Sequence, residues 1–162
     1  MTTKTSYSTL QITLHWTIAI LILAAWWFGD GMGRALRTRI ETGQTGFAGN
    51  TLHVWLGTAV LVLVLVRIVV RRMQGAPAPL PATTAWSEKT ALWGHRLLYT
   101  LMLLVPAMGG IVWYFNVRSL GDVHGLVANG LMIVALGHAA FALYHHYIVK
   151  DGTLRRMLRP GT

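Results

Sequence analysis

The sequence predicts an all-α protein of the integral membrane class, built as a four-helix transmembrane bundle. Three observations carry this reading. Apolar residues fill 54% of the 162 positions and charged ones only 12%, with a mean hydropathy of +0.50, which leaves too few charges to coat a water-soluble globule. The apolar residues gather into four runs, about residues 10–29, 52–70, 93–115 and 123–149, each close to the roughly 20 residues a helix needs to cross the hydrocarbon. The net charge of +9 comes from Lys and Arg lying between these runs, where topology signals belong, so no nucleic-acid partner is expected.

The first run follows Lys4 and is not followed by an Ala-x-Ala-like site, so it reads as a retained span rather than a removed signal peptide. A polar, glycine-rich connector, residues 29–50, separates it from the second run. The second connector carries Pro77, Pro79 and Pro81 and is not expected to be helical, and Arg118 to Asp122 reads as a tight turn. Trp26, Trp27, Trp55, Trp93 and Trp113 fall near predicted span ends, as an aromatic belt would. With no internal repeat and no heptads, residues 1–162 read as one domain. Ten of the 14 Lys and Arg lie with the two termini and the second connector: Lys4, Arg67, Arg71, Arg72, Lys89, Arg96, Lys150, Arg155, Arg156 and Arg159. Arg34, Arg37, Arg39 and Arg118 lie opposite, so the positive-inside rule places both termini in the cytoplasm.

Alternating helix directions allow the histidines to be sorted by depth at about 1.5 Å per residue. His53 and His124 each open an inward-going helix at the outer surface. His138 follows Asp122 by 16 residues and His15 precedes Gly29 by 14, so both lie roughly 21–24 Å down. His124 and His138 are 14 residues apart, on nearly one helix face. Two cross-helix pairs result, His53 with His124 outside and His15 with His138 inside.

A six-coordinate haem iron needs two such axial ligands facing each other across a bundle. The chain has no cysteine, which removes thiolate ligation and covalent haem attachment and leaves histidine or methionine as axial ligands; with two histidine pairs, two non-covalently held haem b groups are expected. Gly57, Ala19, Ala128 and Gly137 lie beside or one turn after these histidines, leaving room for a porphyrin. Zinc fits less well, since a structural site wants four clustered ligands. Taken one at a time, these histidines also fit plain interhelical hydrogen bonding.

Arg67 follows His53 by 14 residues, at the inner pair's level. It pairs there with haem propionates, together with Arg71, or snorkels to the surface. His95 counts out at the inner interface with His145 and His146. There His95 and His145 form a proton-exchanging site for a quinone, or are simply solvated by headgroups.

Several strings in the chain are similar to those of the bacterial cytochrome b561 family. They are Tyr7-Ser8-x-Leu10-Gln11-Ile12-x-x-His15-Trp16, then His53 and Arg67-x-x-x-Arg71, then Gly94-His95 and Tyr99. The series continues through His124, Gly137-His138-Ala139-Ala140 and His145-His146-Tyr147-x-x-Lys150-Asp151-x-Thr153-Leu154-x-Arg156-Met157. The resemblance covers nearly the whole chain and implies a bacterial inner-membrane protein. It also implies His15 with His138 and His53 with His124 as the haem iron ligands. The best-understood member implies oxidation of superoxide at the outer haem and delivery of electrons from the inner haem to ubiquinone. Arg34, Arg37, Arg39 and Arg118 would then steer the anion, Arg118 foremost, or are ordinary loop charges diluted by Asp30, Glu41 and Asp122. The third connector is shorter here than in that member. The other expectation is an electron-relay or anchor subunit for a periplasmic hydrogenase or dehydrogenase.

Overall fold

The computed structural model describes residues 6–78 and 85–160. Lys4 of the charge count and Pro79 and Pro81 of the second connector lie outside the described residues. Four long helices, α1 (Thr9–Trp27), α3 (Leu52–Gln74), α4 (Ala85–Tyr114) and α5 (Gly121–Tyr144), form the bundle, with a short α2 (Met32–Glu41) at one end. Each long helix contains a window apolar enough to cross a bilayer, yet only 6–17% of those windows is buried. So much apolar surface facing outward requires lipid around it.

Local chemistry sets the helix ends. At the start of α1, Ser8 accepts a hydrogen bond from the Gln11 backbone N–H, and the Gln11 side chain accepts one from the Ser8 N–H, both at 3.2 Å, a reciprocal capping box. Gln11 Nε2 also donates to the Gly75 carbonyl at 2.9 Å, tying the start of α1 to the end of α3. Gly31, in the left-handed region at φ 77°, turns the chain from α1 into α2. Thr51 caps α3 through the Val54 N–H.

α1 packs on α3, α3 on α4, and α4 on α5. Ile18, Val60 and Val64 form the buried core, with Tyr99 and Met102 against it. α1 and α5 are joined at their seam by a hydrogen bond of 2.9 Å from Trp26 Nε1 to Asn129 Oδ1. At the end carrying both termini, Trp16 Nε1 donates to the Met157 carbonyl at 2.8 Å and Arg156 Nη1 to the Ala78 carbonyl at 2.7 Å.

Several boundaries differ from the sequence reading. The first connector contains α2, which buries Leu36 and Arg39 and rests on Val54 and Trp113. α4 starts at Ala85 rather than near residue 93. The expected tight turn is a 3-10 turn, Arg118–Leu120, running directly into α5. The last apolar run ends in a π turn, His145–Val149.

Trp113 is not part of an aromatic belt. It is 2% exposed, donates to Asn50 Oδ1 at 2.8 Å and lies under the Arg39 guanidinium at 4.9 Å. Arg39, also 2% exposed, donates to the carbonyls of Ala48 and Gly46, so it is an internal clamp and not an outer-surface charge. Arg39→Ala removes these charged hydrogen bonds and should destabilise the α2 cap by about 2 kcal/mol. Hydrogen exchange in nanodiscs should show faster exchange over residues 32–41 with α3 unchanged; equal exchange in α2 would contradict the clamp.

Candidate cofactor sites within the bundle

At the α2 end, His53 lies in the first turn of α3 and His124 in the first turn of α5. His53 Nδ1 bonds the Ala25 carbonyl at 2.8 Å and His124 Nδ1 the Val105 carbonyl at 3.1 Å. A carbonyl oxygen only accepts, so each Nδ1 carries the proton and each Nε2 keeps its lone pair. The two ring centres are 6.0 Å apart with planes at 87°. Two metal–nitrogen bonds of about 2 Å, plus about 1 Å from each nitrogen to its ring centre, add to about 6 Å. The pair therefore fits an iron between its imidazoles.

Space for a porphyrin is present beside this pair. A cavity of about 1070 Å³ is lined by His53, His124, Gly57, Gly110 and Gly125 among others, at the upper end for small-molecule sites. A methyl group added at Gly57, Gly110 or Gly125 would meet nothing within 4 Å. Gly109 serves differently, since its added Cβ would lie 3.0 Å from His124 Cε1. It lets the imidazole lie against α4, one turn beyond Pro106. Arg34, Arg37, Arg118 and Asp122 also line this cavity.

At the other level, His15 and His138 have ring centres 6.3 Å apart with planes at 72°, again the spacing that an iron between two imidazoles requires. His95 lies beside them, its ring 5.2 Å from His138 and its Nδ1 bonded to the Ala91 carbonyl at 2.6 Å. The structure thus brings His95 to the inner histidines, deeper in the bundle than the depth count placed it. The depth count started from Asn116, but α4 ends at Tyr114 and α5 already begins at Gly121, which brings the two residues to one level.

Arg67 is 8% exposed. Its Nη1 donates to the Gln11 carbonyl at 2.6 Å and its Nε to the Tyr99 hydroxyl at 3.1 Å. It therefore does not snorkel outward, and guanidinium donors remain for a carboxylate. Arg71 shares a shallow recess with Arg67, Tyr7 and Gln11.

His145, at the start of the π turn, packs its ring 4.5 Å from Phe141. Its Nδ1 bonds Asp151 Oδ2 at 2.5 Å, with the two side chains 8% and 1% exposed. Burial alone would raise the Asp151 carboxyl, but hydrogen bonds from His145 and Thr153 outweigh it and hold the group below the usual carboxylate range. The sequence reading missed Asp151 as a functional partner. The available signal was that the chain has five acidic residues and one of them follows a span-end histidine by a single turn.

A family model described as prokaryotic cytochrome b561 matches residues 6–160. The chain belongs to the prokaryotic cytochrome b561 family. It is accordingly a multi-pass inner-membrane cytochrome that transfers electrons with b-type haem, and its histidine pairs fit that group. Cytochrome b562 of Cereibacter sphaeroides is 44% identical to it over 99% of both chains. A probable superoxide oxidase of Yersinia pestis is 30% identical over 94% of this chain and 95% of its own. Cytochrome b561 homolog 1 of Escherichia coli is also 30% identical, over 94% and 96%.

In this cytochrome Gly109→Ala places a methyl against the His124 imidazole and should displace it. The haem-to-protein ratio measured by pyridine haemochrome should fall, with the helix content unchanged. A wild-type ratio would contradict the close approach.

Proposed function

We propose that this cytochrome is one di-haem domain that moves electrons from superoxide, at the α2 end, to a membrane quinone such as ubiquinone, at the end carrying the termini. The observation that carries the proposal is the pair of imidazole couples at two levels, 6.0 and 6.3 Å between ring centres. His53 with His124, and His15 with His138, are the proposed axial ligands. Arg67 and Arg71 are the proposed partners of propionate groups at the inner level, as the buried guanidinium of Arg67 without a carboxylate ion pair among the described residues supports. Bound haem would supply one-electron carriers between the two ends of the bundle.

The reaction balances as two superoxide ions each losing one electron to become dioxygen, while a quinone gains two electrons and two protons to become quinol. Arg34, Arg37 and Arg118 border the outer cavity, and their charge would draw a small anion toward it. The name of the Yersinia pestis relative supports the same substrate. His95 and His145 are the proposed proton-exchanging groups for the quinone, one beside the inner histidines and one paired with Asp151. The excess of Lys and Arg at the end with the termini supports a cytoplasmic location for that end.

One observation favours a relay subunit serving a periplasmic hydrogenase or dehydrogenase: the 44% identical relative is named only as a cytochrome. Purified protein in nanodiscs separates the readings. Superoxide oxidation predicts two haems per chain, one lost in His53→Ala and the other in His138→Ala. It also predicts quinol formation after a superoxide pulse that either variant abolishes and Arg118→Glu slows severalfold at low salt. One haem per chain, or no reaction with superoxide while a co-purifying dehydrogenase reduces the protein, would overturn it.

A further inference from the structure

The buried acid after α5 has no part in holding haem, and its geometry gives it another task. α5 ends in a π turn, a form that recurs at functional sites. Lys150 then takes the left-handed conformation at φ 59° and folds the chain back, so that the Asp151 N–H bonds the His145 carbonyl at 3.3 Å. The carboxylate is divided between two partners. Oδ1 accepts from the Thr153 N–H at 2.9 Å, and Oδ2 accepts from His145 Nδ1 at 2.5 Å. Phe141 and Tyr144, ring centres 4.5 and 5.9 Å away, hold the imidazole from α5. Asp151 is the carboxylate facing the ring, and Tyr144 is the titratable side chain packed on it. Nδ1 makes the one hydrogen bond of this ring among the described residues, and the side chain keeps 8% exposure.

We infer that Asp151 is a positioning residue for quinone reduction. It keeps the His145 proton on Nδ1 and presents Nε2 as the atom that passes protons to the quinone oxygen. This rests on the quinone reading above. In each transfer Nε2 takes a proton from cytoplasmic water and the carboxylate balances the resulting imidazolium. The Nε2–H bond then breaks as an O–H bond forms on the quinone. The electrons are those given up by the superoxide donor, which bound haem would carry, and two transfers complete the quinol. A buried carboxylate holding an imidazole in one tautomer is a general way of making it a directional proton carrier.

Asp151→Asn tests this with a specific structural expectation. The Thr153 N–H continues to require an acceptor, so the amide oxygen occupies the Oδ1 place and the NH2 faces Nδ1. Nδ1 must then become an acceptor and the ring proton moves to Nε2. In 15N-histidine-labelled holoprotein in nanodiscs, the NMR signal of His145 should switch from an Nδ1-protonated to an Nε2-protonated imidazole. The kcat for ubiquinone reduction should fall more than about tenfold, part of the roughly 10²–10⁴-fold that general acid–base catalysis contributes, with KM within about twofold and the haem spectrum unchanged. Asp151→Glu should restore both tautomer and rate in part. An unchanged tautomer, or wild-type kcat in the Asn variant, overturns the inference. His145→Gln separates it from the reading beneath: a wild-type quinone rate there defeats the quinone site itself, whereas a lost rate there with a wild-type rate in Asp151→Asn defeats only the role of Asp151.

Discussion

A histidine that gives its Nδ1 proton to a backbone carbonyl has one lone pair left, on Nε2, and between two packed helices that lone pair needs a partner. That constraint governs the α2 end of this cytochrome. His53 and His124 are both committed in this way, to Ala25 and Val105, and their rings lie 6.0 Å apart. Two Lewis bases at that separation would be a costly arrangement in a core that had nothing to place between them. A haem iron, as proposed, would satisfy both at once, and the carbonyl partners hold the imidazoles in register for it.

The helices around this pair are shaped to leave room. Gly57, Gly110 and Gly125 keep side chains out of the cavity, and Gly109 lets His124 approach α4. The cap of this cavity is rigid by contrast. Arg39, Trp113, Asn50 and Tyr114 form a connected set of hydrogen bonds and ring contacts, which fixes α2 over the end of the bundle. At the opposite end, the hydrogen bonds of Arg67, Gln11 and Trp16 tie α1 to α3, α4 and the C-terminal turn. Between the ends, Ile18, Val60 and Val64 form an apolar layer that separates the two histidine levels.

The four spans and both histidine pairs were legible because each depends on a regular quantity. Apolar run length reports a span, and a constant rise per residue reports depth. What escaped reading depends on tertiary contact. α2 is hidden by Arg34, Arg37, Arg39 and Glu41 around Leu36, its single buried apolar residue, so its composition resembles a loop. Trp113 sits near a span end, where belt and core tryptophans look alike in sequence. His95 counts out nearer the inner surface than its 5.2 Å contact with His138, because α4 ends two residues and α5 begins one residue before the positions the count used, and depth errors add across two helices. Asp151 reaches His145 only because Lys150 reverses the chain, and a positive φ at a lysine has no sequence signature.

The geometry of the pairs would also constrain the electronic state of an iron held between them. Imidazole planes at 87° and 72° are close to perpendicular, and a ferric haem held between such rings would give a highly anisotropic low-spin signal, distinct from the rhombic signal of parallel rings. The most direct test is low-temperature electron paramagnetic resonance of the oxidised protein in its membrane. Two highly anisotropic low-spin signals of equal spin count are expected, and a dominant high-spin signal or a single low-spin species would contradict the two histidine couples.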